Sequence, residues 1–180
     1  MKSKTSRRLV IDASVARSSG GPDATTPSST LCRDFMRKAL EVCHRLVMTP
    51  DIREEWNNHQ SKFAKSWLTS MVSRRKFLFI GNCENSQLRK TIGNLNGLEW
   101  PVTKMLKDIH LIEASLSADQ IVISLDDAAR THFARAASLV PPIREVVWRN
   151  PVTDVDMGLW LQNGAKADAS MKLGFTPRSK

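Results

Sequence analysis

A chain of 180 residues that is 41% hydrophobic and 25% charged can bury a core without disulfide or metal staples, but it is too short for two well-formed domains. Its net charge of +9 excludes a strongly acidic protein and favours polyanionic partners such as nucleic acid. The alternative is a basic protein that has no polyanionic partner. Its three cysteines show no CxxC spacing, which argues against a disulfide framework or a structural zinc site.

The first half of the chain alternates short apolar runs with amphipathic segments. Turn-forming and small polar residues interrupt this alternation after the first run, where the sequence is "SSGGPDATTPSST". We predict, in chain order, a buried strand over 9–15, a mobile loop over 18–30, a helix over 31–44 capped by Thr30, a strand over 45–49, a helix over 50–60 capped by Thr49, and a helix over 61–73.

The second half continues the same alternation. We predict an extended segment or strand over 76–81, loosely joined helix over 82–99, a helix over 100–118, a strand over 120–127, a helix over 128–139, a strand over 144–148 and a short helix around 157–161. Continuous apolar strands between helices indicate an α/β fold, a three-layer α/β/α sandwich with a mostly parallel central sheet. We assign 1–150 to this domain and 151–180 to a C-terminal extension with one short helix and a loose tail.

Acidic side chains follow two of the predicted strands. Asp12 ends the first strand, and Asp126 and Asp127 follow the run "IVISL". In a parallel α/β sheet, ligands bind beyond the carboxyl ends of the strands. Carboxylates gathered at that edge repel one another, and a divalent cation that prefers oxygen ligands, Mg²⁺ or Mn²⁺, relieves the repulsion.

Three more acids can reach the same edge. Glu54 and Glu55 lie one turn into the helix after the second strand, and Asp108 lies at the border of the apolar stripe of the 100–118 helix. Each also has a simpler explanation. The two glutamates suit the first turns of any helix, and Asp108 could pair with Lys104 or Lys107. Asp127 could be an ordinary turn-forming residue at the end of a strand.

The order of these acids resembles the PIN-domain nucleases over about residues 7 to 150. The resemblance lies in four stretches, each on the element type that the family uses: "VIDAS" with Asp12, "TPDIREEW" with Glu55, "DIHLIEASL" with Asp108 and "VISLD" with Asp126. Two choices stay open. Glu54 is the alternative to Glu55, and Asp127 could replace or assist Asp126.

The resemblance implies a metal-dependent endoribonuclease that hydrolyses single-stranded RNA. Asp12, Asp108 and Asp126, with Asp127 beside them, would hold one or two Mg²⁺ or Mn²⁺ ions, and Glu55 would position a water or a second ion. Attack by water would leave a 5′-phosphate and a 3′-hydroxyl. We further expect Ser14 and Ser124 to orient the acids or the water, against the alternative of plain strand-end serines.

The predicted partners follow from charge and from the resemblance. Basic clusters would hold the phosphate backbone of RNA, and we assign this to Arg7, Arg8, Arg74, Arg75 and Lys76. The family also implies an antitoxin or another protein inhibitor, and a homodimer, if the chain is the toxin of a toxin–antitoxin pair. The alternative function is a non-catalytic RNA- or protein-binding module on the same fold.

The sequence also predicts a cytoplasmic protein with no membrane association. No apolar run approaches the ~20 residues that cross a bilayer. The start of the chain, "MKSKTSRRLVIDAS", is basic, but its apolar stretch is short and stops at an aspartate. It is therefore not predicted to be a signal peptide.

Overall fold

Five parallel strands form the central sheet of the molecule. The structure is a computed structural model and describes residues 5–95, 97 and 100–177. The strands, in chain order, are β1 (Arg8–Ile11), β2 (Arg45–Met48), β3 (Phe77–Phe79), β4 (Ile121–Ile123) and β5 (Val147–Arg149). Their order across the sheet is β3-β2-β1-β4-β5, and every neighbouring pair is parallel.

Helices flank this sheet and connect its strands. Those in the described part of the chain are α1 (Ala13–Ser18), α2 (Pro27–Glu41), α3 (Pro50–His59), α4 (Lys62–Ser73), α5 (Ser86–Gly93), α6 (Val102–Leu116), α7 (Asp127–Ala136) and α8 (Met157–Gln162). The arrangement confirms the predicted three-layer α/β/α sandwich, and the sheet is parallel throughout. Within residues 5–95, 97 and 100–177, no helix is both long enough and apolar enough to cross a membrane.

The core lies on both faces of the sheet, which explains why the strands are continuous apolar runs. All residues of β4 are buried, as are Leu9, Val10 and Ile11 of β1. Aromatic pairs extend the core into the helical layers. Trp56 of α3 stacks on Trp67 of α4 with ring centroids 6.1 Å apart.

The first strand ends earlier than the sequence predicts. Strand β1 stops at Ile11, and α1 begins directly after Asp12, so the predicted strand over 9–15 is wrong beyond residue 11. The apolar side chains of Val15 and Ala16 are buried, but they are buried on a short helix. A run of only four or five apolar residues carries no clear period, and here tertiary packing decides its conformation.

The second helix begins earlier than predicted. Thr26 is the N-cap of α2, with its hydroxyl accepting a hydrogen bond of 3.3 Å from the amide of Ser29, and Pro27 occupies the first turn. Thr30 is therefore not the cap. A proline at the first helical position after a threonine is a favoured helix start, and this signal lies inside the serine-rich segment that we predicted to be a loop.

The side chain of Arg33 holds the segment between α1 and α2 in place. This side chain is buried, and its Nη1 donates to the carbonyls of Ser19 (3.0 Å) and Gly21 (3.1 Å). Its Nη2 donates to the carbonyl of Ala24. One guanidinium group therefore satisfies three backbone acceptors of a segment rich in serine and glycine.

The C-terminal extension packs against the domain. Helix α8 confirms the short helix predicted around 157–161 and lies against α2. Residues 169–174, predicted to belong to a loose tail, lie beside β5: Lys172 forms an antiparallel bridge with Val147, and the amide of Leu173 donates to the carbonyl of Val146 at 2.8 Å. Leu173 is buried, so the tail contributes to the core.

Candidate active site

The strand order reverses direction between β1 and β4. From β1 the chain proceeds outward to β2 and β3, and it then resumes on the other side of β1 with β4 and β5. Such a reversal opens a crevice at the carboxyl ends of the two central strands, where ligands bind in open α/β sheets. Asp12 follows β1 at this crevice, and its amide donates to the carbonyl of Ile123, the last residue of β4, at 2.9 Å.

Two serine hydroxyls fix the side chain of Asp12. Its Oδ2 accepts hydrogen bonds from Ser14 Oγ at 2.5 Å and from Ser124 Oγ at 2.7 Å. Each hydroxyl in turn accepts from the backbone: Ser14 from the amide of Leu125 and Ser124 from the amide of Asp126, both at 3.1 Å. Ser14 and Ser124 therefore contact Asp12 in the way predicted for supporting residues, and they leave its Oδ1 outside this network.

Asp126 and Asp127 diverge at the start of α7. Asp126 is the N-cap residue, and its Oδ1 accepts from the amide of Ala129 at 2.7 Å. Asp127 turns toward the C-terminal extension, where its Oδ2 accepts from Asn150 Nδ2 at 3.0 Å and from Thr153 Oγ1 at 3.3 Å. Of the two alternatives, the structure brings Asp126 toward the other carboxylates and holds Asp127 away.

Asp108 faces the crevice from α6. The residue is half-buried, and its side chain forms no hydrogen bond or ion pair with the described part of the chain. Burial raises the pKa of Asp108 above its ordinary value, and the carboxylates of Asp126 and Asp12 raise it further. Asp12 and Asp126 are therefore both close enough to Asp108 to repel its carboxylate, as expected for acids gathered at one sheet edge.

Asp12, Asp108 and Asp126 do not form a complete ligand set as they stand. Among the residues that the structure describes, no three His, Cys, Asp or Glu side chains are placed to hold a metal ion together. The donor chemistry nevertheless suits Mg²⁺ or Mn²⁺, because all three side chains offer carboxylate oxygens. Mg²⁺ commonly binds through one or two carboxylates and keeps several waters, so it does not require a closed protein cage.

Glu55 pairs with a histidine that the sequence did not indicate. His110 Nε2 lies 3.3 Å from Glu55 Oε2, and its Nδ1 donates to the carbonyl of Lys107 at 3.0 Å. The contact with His110 lowers the pKa of Glu55. Burial alone would lower the pKa of His110, but Glu55 raises it above its ordinary value, with a smaller contribution from Asp12.

The two glutamates thus differ in surroundings. Glu55 faces α6 through His110, whereas Glu54 is exposed beside it on the same polar pocket of about 360 Å³. No spacing signal linked His110 to α3. Position 110 is two residues from Asp108 and points to another side of α6, and only the packing of α3 against α6 brings it to Glu55.

The predicted RNA-binding residues lie at the opposite edge of the sheet. Arg7 and Arg8 precede or begin β1, and Arg74, Arg75 and Lys76 precede β3, so all five stand at the amino ends of parallel strands. Arg8 also pairs with Asp119 at 2.7 Å. Lys76 Nζ donates to the carbonyls of Leu40, at 2.6 Å, and Val42, close to the end of α2. The structure does not bring this set to the carboxylates.

No family model matches this chain. No curated protein matches it either. The resemblance to PIN-domain nucleases therefore rests on the residues of this chain alone. Chemically, the edge combines the carboxylate of Asp108 with two carboxylates that repel it, two hydroxyls that orient one of these, and a neighbouring acid–imidazole pair. Such an arrangement can bind a cation and, through it, an anionic substrate.

Proposed function

We propose that this chain is a metal-dependent endoribonuclease of PIN type that hydrolyses single-stranded RNA with Mg²⁺ or Mn²⁺. The observation that carries the proposal is that Asp108 on α6 lines a cleft of about 150 Å³ together with Asp126, which follows β4, and lies close enough to Asp12, which follows β1, for its carboxylate to be repelled. Asp12 and Asp126 raise the pKa of Asp108. A carboxyl whose pKa is raised by neighbouring carboxylates at a ligand-binding edge is a mark of a functional site.

The residues divide the work of hydrolysis among them. Asp12, Asp108 and Asp126 would hold the ion, and Ser14 and Ser124 fix the orientation of Asp12. The ion, when bound, lowers the pKa of a coordinated water and neutralises charge on the phosphate. Attack of water on the phosphorus would break the bond to the 3′-oxygen and leave a 5′-phosphate and a 3′-hydroxyl. An antitoxin or other inhibitor and a homodimer stay predictions.

The test is cleavage of 5′-labelled single-stranded RNA with Mn²⁺ or Mg²⁺. We expect cutting that stops in EDTA and falls at least about a hundredfold in Asp12→Asn, because that variant loses a charged ligand while keeping the size of the side chain. The matched control is Asp23→Asn, the same change at an exposed position before α2. Cutting that survives EDTA, or that Asp12→Asn leaves intact, would contradict the proposal.

A second candidate is a binding module that holds RNA without cutting it. The observation in its favour is that, within residues 5–95, 97 and 100–177, no three potential ligands are positioned to hold an ion together. The same assay separates the two candidates. RNA that is bound but left intact by both metals would favour the binding module.

A further inference from the structure

The chain itself covers one edge of the sheet and leaves the other open. Beside β5, Lys172 forms an antiparallel bridge with Val147, and the amide of Leu173 donates to the carbonyl of Val146. Beside β3, the only strand that pairs with it among the residues that the structure describes is β2. An open edge is a template for pairing with another strand, and most proteins cover or interrupt such edges. The outer edge of β3 is therefore a candidate interface.

The backbone of β3 presents unpaired groups at this edge. Strand β2 bonds to the carbonyl of Lys76 at 2.8 Å and to the amide of Ile80 at 2.9 Å. Since neighbouring residues of a strand direct their backbone groups to opposite sides, every second residue from Lys76 to Ile80 faces β2, and Phe77 and Phe79 face outward. In the described part of the chain, no group outside β2 bonds to the backbone of these two phenylalanines. Two N–H and two C=O groups therefore point away from the sheet.

The side chains of this edge are apolar. Phe77 and Leu78 are partly exposed, and Phe79 is 53% exposed. Edge strands that avoid association often carry a charged side chain, a proline or a bulge. Strand β3 is short, but its sequence is "FLF" and its register with β2 is unbroken. A strand from another molecule would therefore meet both free backbone groups and an exposed aromatic ring.

Positive charge is gathered at the amino end of this edge. Residues 70–83 include Arg74, Arg75 and Lys76 and contain no acidic residue. Arg45, which begins the neighbouring strand β2, is exposed, as are Arg74 and Arg75. None of the three arginines forms an ion pair with an acid among the residues described. A second copy of the chain would bring another basic strand, so charge favours a partner strand that is acidic.

We propose that the outer edge of β3 binds an extended acidic segment of a partner protein, which adds a sixth strand to the sheet. Hydrogen bonds to the backbone of Phe77 and Phe79 hold the segment, one of its apolar side chains covers the ring of Phe79, and its carboxylates lie at Arg74 and Arg75. In strand addition, the backbone bonds provide affinity and the side chains provide specificity. The edge contains none of the candidate catalytic residues, so this binding does not depend on the nuclease activity.

The surroundings of the arginines favour a protein strand over RNA. The sequence assigns Arg74, Arg75 and Lys76 to RNA, and cations alone suffice to hold a phosphate backbone. Here the cations adjoin outward-facing amides and carbonyls that have no partner in the described part of the chain. A polypeptide strand matches those groups in spacing and in kind, whereas a phosphate backbone has no repeating amide donors.

The test measures binding of fluorescein-labelled peptides of ~12 residues to the full chain, by anisotropy across a salt series. In each peptide valine and threonine alternate, and a run of glutamates stands at one end or at the other, so that parallel and antiparallel addition are both sampled. We expect at least one acidic peptide to bind, with an affinity that falls as salt rises. The same peptides with lysine in place of glutamate should not bind.

Variants separate the three contributions. Phe77→Pro removes an outward-facing N–H and leaves the bonds to β2 in place, so it should weaken binding at least about tenfold. Phe79→Thr should weaken binding about threefold to tenfold, through lost apolar contact. Arg74→Gln should weaken it about twofold to fivefold and reduce its salt dependence. The matched controls are Leu159→Thr and Arg17→Gln, at exposed positions of α8 and α1, and both should bind like wild type.

Hydrogen exchange gives a readout that needs no variant. In the free protein the amides of Phe77 and Phe79 should exchange faster than that of Leu78, which faces β2, and the acidic peptide should slow both. Thermal unfolding first establishes that each variant is folded. Acidic peptides that do not bind, lysine peptides that bind equally, or control variants that lose as much affinity as the edge variants would overturn the inference.

Two further outcomes would overturn it in favour of another occupant. One is binding of a single-stranded RNA of ~12 nucleotides that depends on Arg74 and Phe79 when the acidic peptides do not bind. The other is a dimer in light scattering that Phe77→Pro abolishes and the acidic peptides do not disrupt. Since no step of the test involves cutting, its failure leaves the proposed nuclease untouched, and an inactive nuclease leaves this edge untouched.

Discussion

The hydroxyl of Ser124 donates a hydrogen bond of 2.7 Å to Oδ2 of Asp12 and so joins the carboxyl ends of β4 and β1. The same hydroxyl accepts from the amide of Asp126 at 3.1 Å. One small side chain therefore sets the orientation of Asp12 and the path of the backbone into α7. The side chain of Asp12 and the backbone of Asp126 both depend on it.

Replacing Ser124 by alanine should weaken the site without removing a ligand. We expect Ser124→Ala to slow cutting by about tenfold to a hundredfold, because Asp12 loses one of the groups that orient it. Higher Mn²⁺ concentrations should restore part of the rate, which a titration of cutting against Mn²⁺ would show. Ser66→Ala, at an exposed position of α4, is the control. A Ser124→Ala protein that cuts like wild type would contradict the role.

Removing the charge of Asp108 should stabilise the metal-free protein. The pKa of this carboxyl is raised by burial and by Asp126 and Asp12, so its ionised form costs folding free energy at neutral pH. We expect Asp108→Asn to raise the free energy of unfolding by on the order of 0.5 kcal/mol, a small gain because solvent screens a half-exposed group. Urea unfolding in EDTA at pH 7 would measure it.

Adding Mg²⁺ should make the wild-type protein more stable than Asp108→Asn. Wild-type protein gains stability from any ion that binds only the folded state, and Asp108→Asn, which lacks a ligand, should gain much less. The comparison therefore needs two unfolding curves for each protein, one in EDTA and one in Mg²⁺. If Asp108→Asn is less stable than wild type in EDTA, the carboxylate has a favourable partner, and repulsion does not govern it.

Glu55 should matter less for cutting than the aspartates do. It is held by His110 at 3.3 Å rather than by the network around Asp12. We expect Glu55→Gln to slow cutting by about tenfold and His110→Gln by less, since only Glu55 offers an anionic oxygen. Cleavage rates over a range of Mn²⁺ concentrations would test this. If His110→Gln is as damaging as Glu55→Gln, the pair serves mainly to hold α3 against α6.

Asp154 should make stability depend on pH in the acid range. Burial alone would raise its pKa, but the amide of Asn150 and the guanidinium groups of Arg130 and Arg149 hold it below its ordinary value. A carboxyl group whose pKa is lowered in the folded state stabilises the fold at pH values above its ordinary pKa of ~4. This stabilisation disappears as the pH falls through the lower pKa of the folded state.

The matching variant is Asp154→Asn, which we expect to lose about 1–2 kcal/mol of unfolding free energy at pH 7. The difference from wild type should narrow as the pH is lowered below about 4, in urea unfolding at several pH values. Asp34→Asn is the control, because Asp34 is exposed and lies 3.5 Å from Arg37. A gap of the same size at pH 3 would mean that the charge of Asp154 is not what stabilises the fold.

The sequence predicts the layers of this fold better than it predicts where individual strands and helices begin and end. Strands β2 and β4 and the capped helix α3 follow from apolar runs and from Thr49 before Pro50. Helix α1 could not be predicted in this way, because the apolar residues of "VIDASVARS" fit a strand and a helix equally well. Its conformation depends on α2 and α3, against which it packs, and those contacts are absent from any local window.

The candidate site likewise has one part that the sequence predicts and one part that it does not. Asp12, Ser124 and Asp126 could be placed together, since each follows a parallel strand. The pairing of Glu55 with His110 could not, because it depends on how two helices pack. The location of Arg8 at the amino edge of the sheet could have been predicted. A residue that begins a parallel strand lies at one edge of the sheet, and a residue that follows the strand, such as Asp12, lies at the opposite edge.

The pairing of β1 with β4 also determines when the site exists. Ser124 meets Asp12 across 112 positions of the chain, and every residue of α2 to α6 lies between them. During synthesis, which proceeds from the N-terminus, the inner edge of β1 therefore stays open until β4 has emerged and docked beside it. An incomplete chain holds Asp12 without Ser124, Asp108 and Asp126, and the assembled carboxylate edge belongs only to a protein whose sheet is nearly finished.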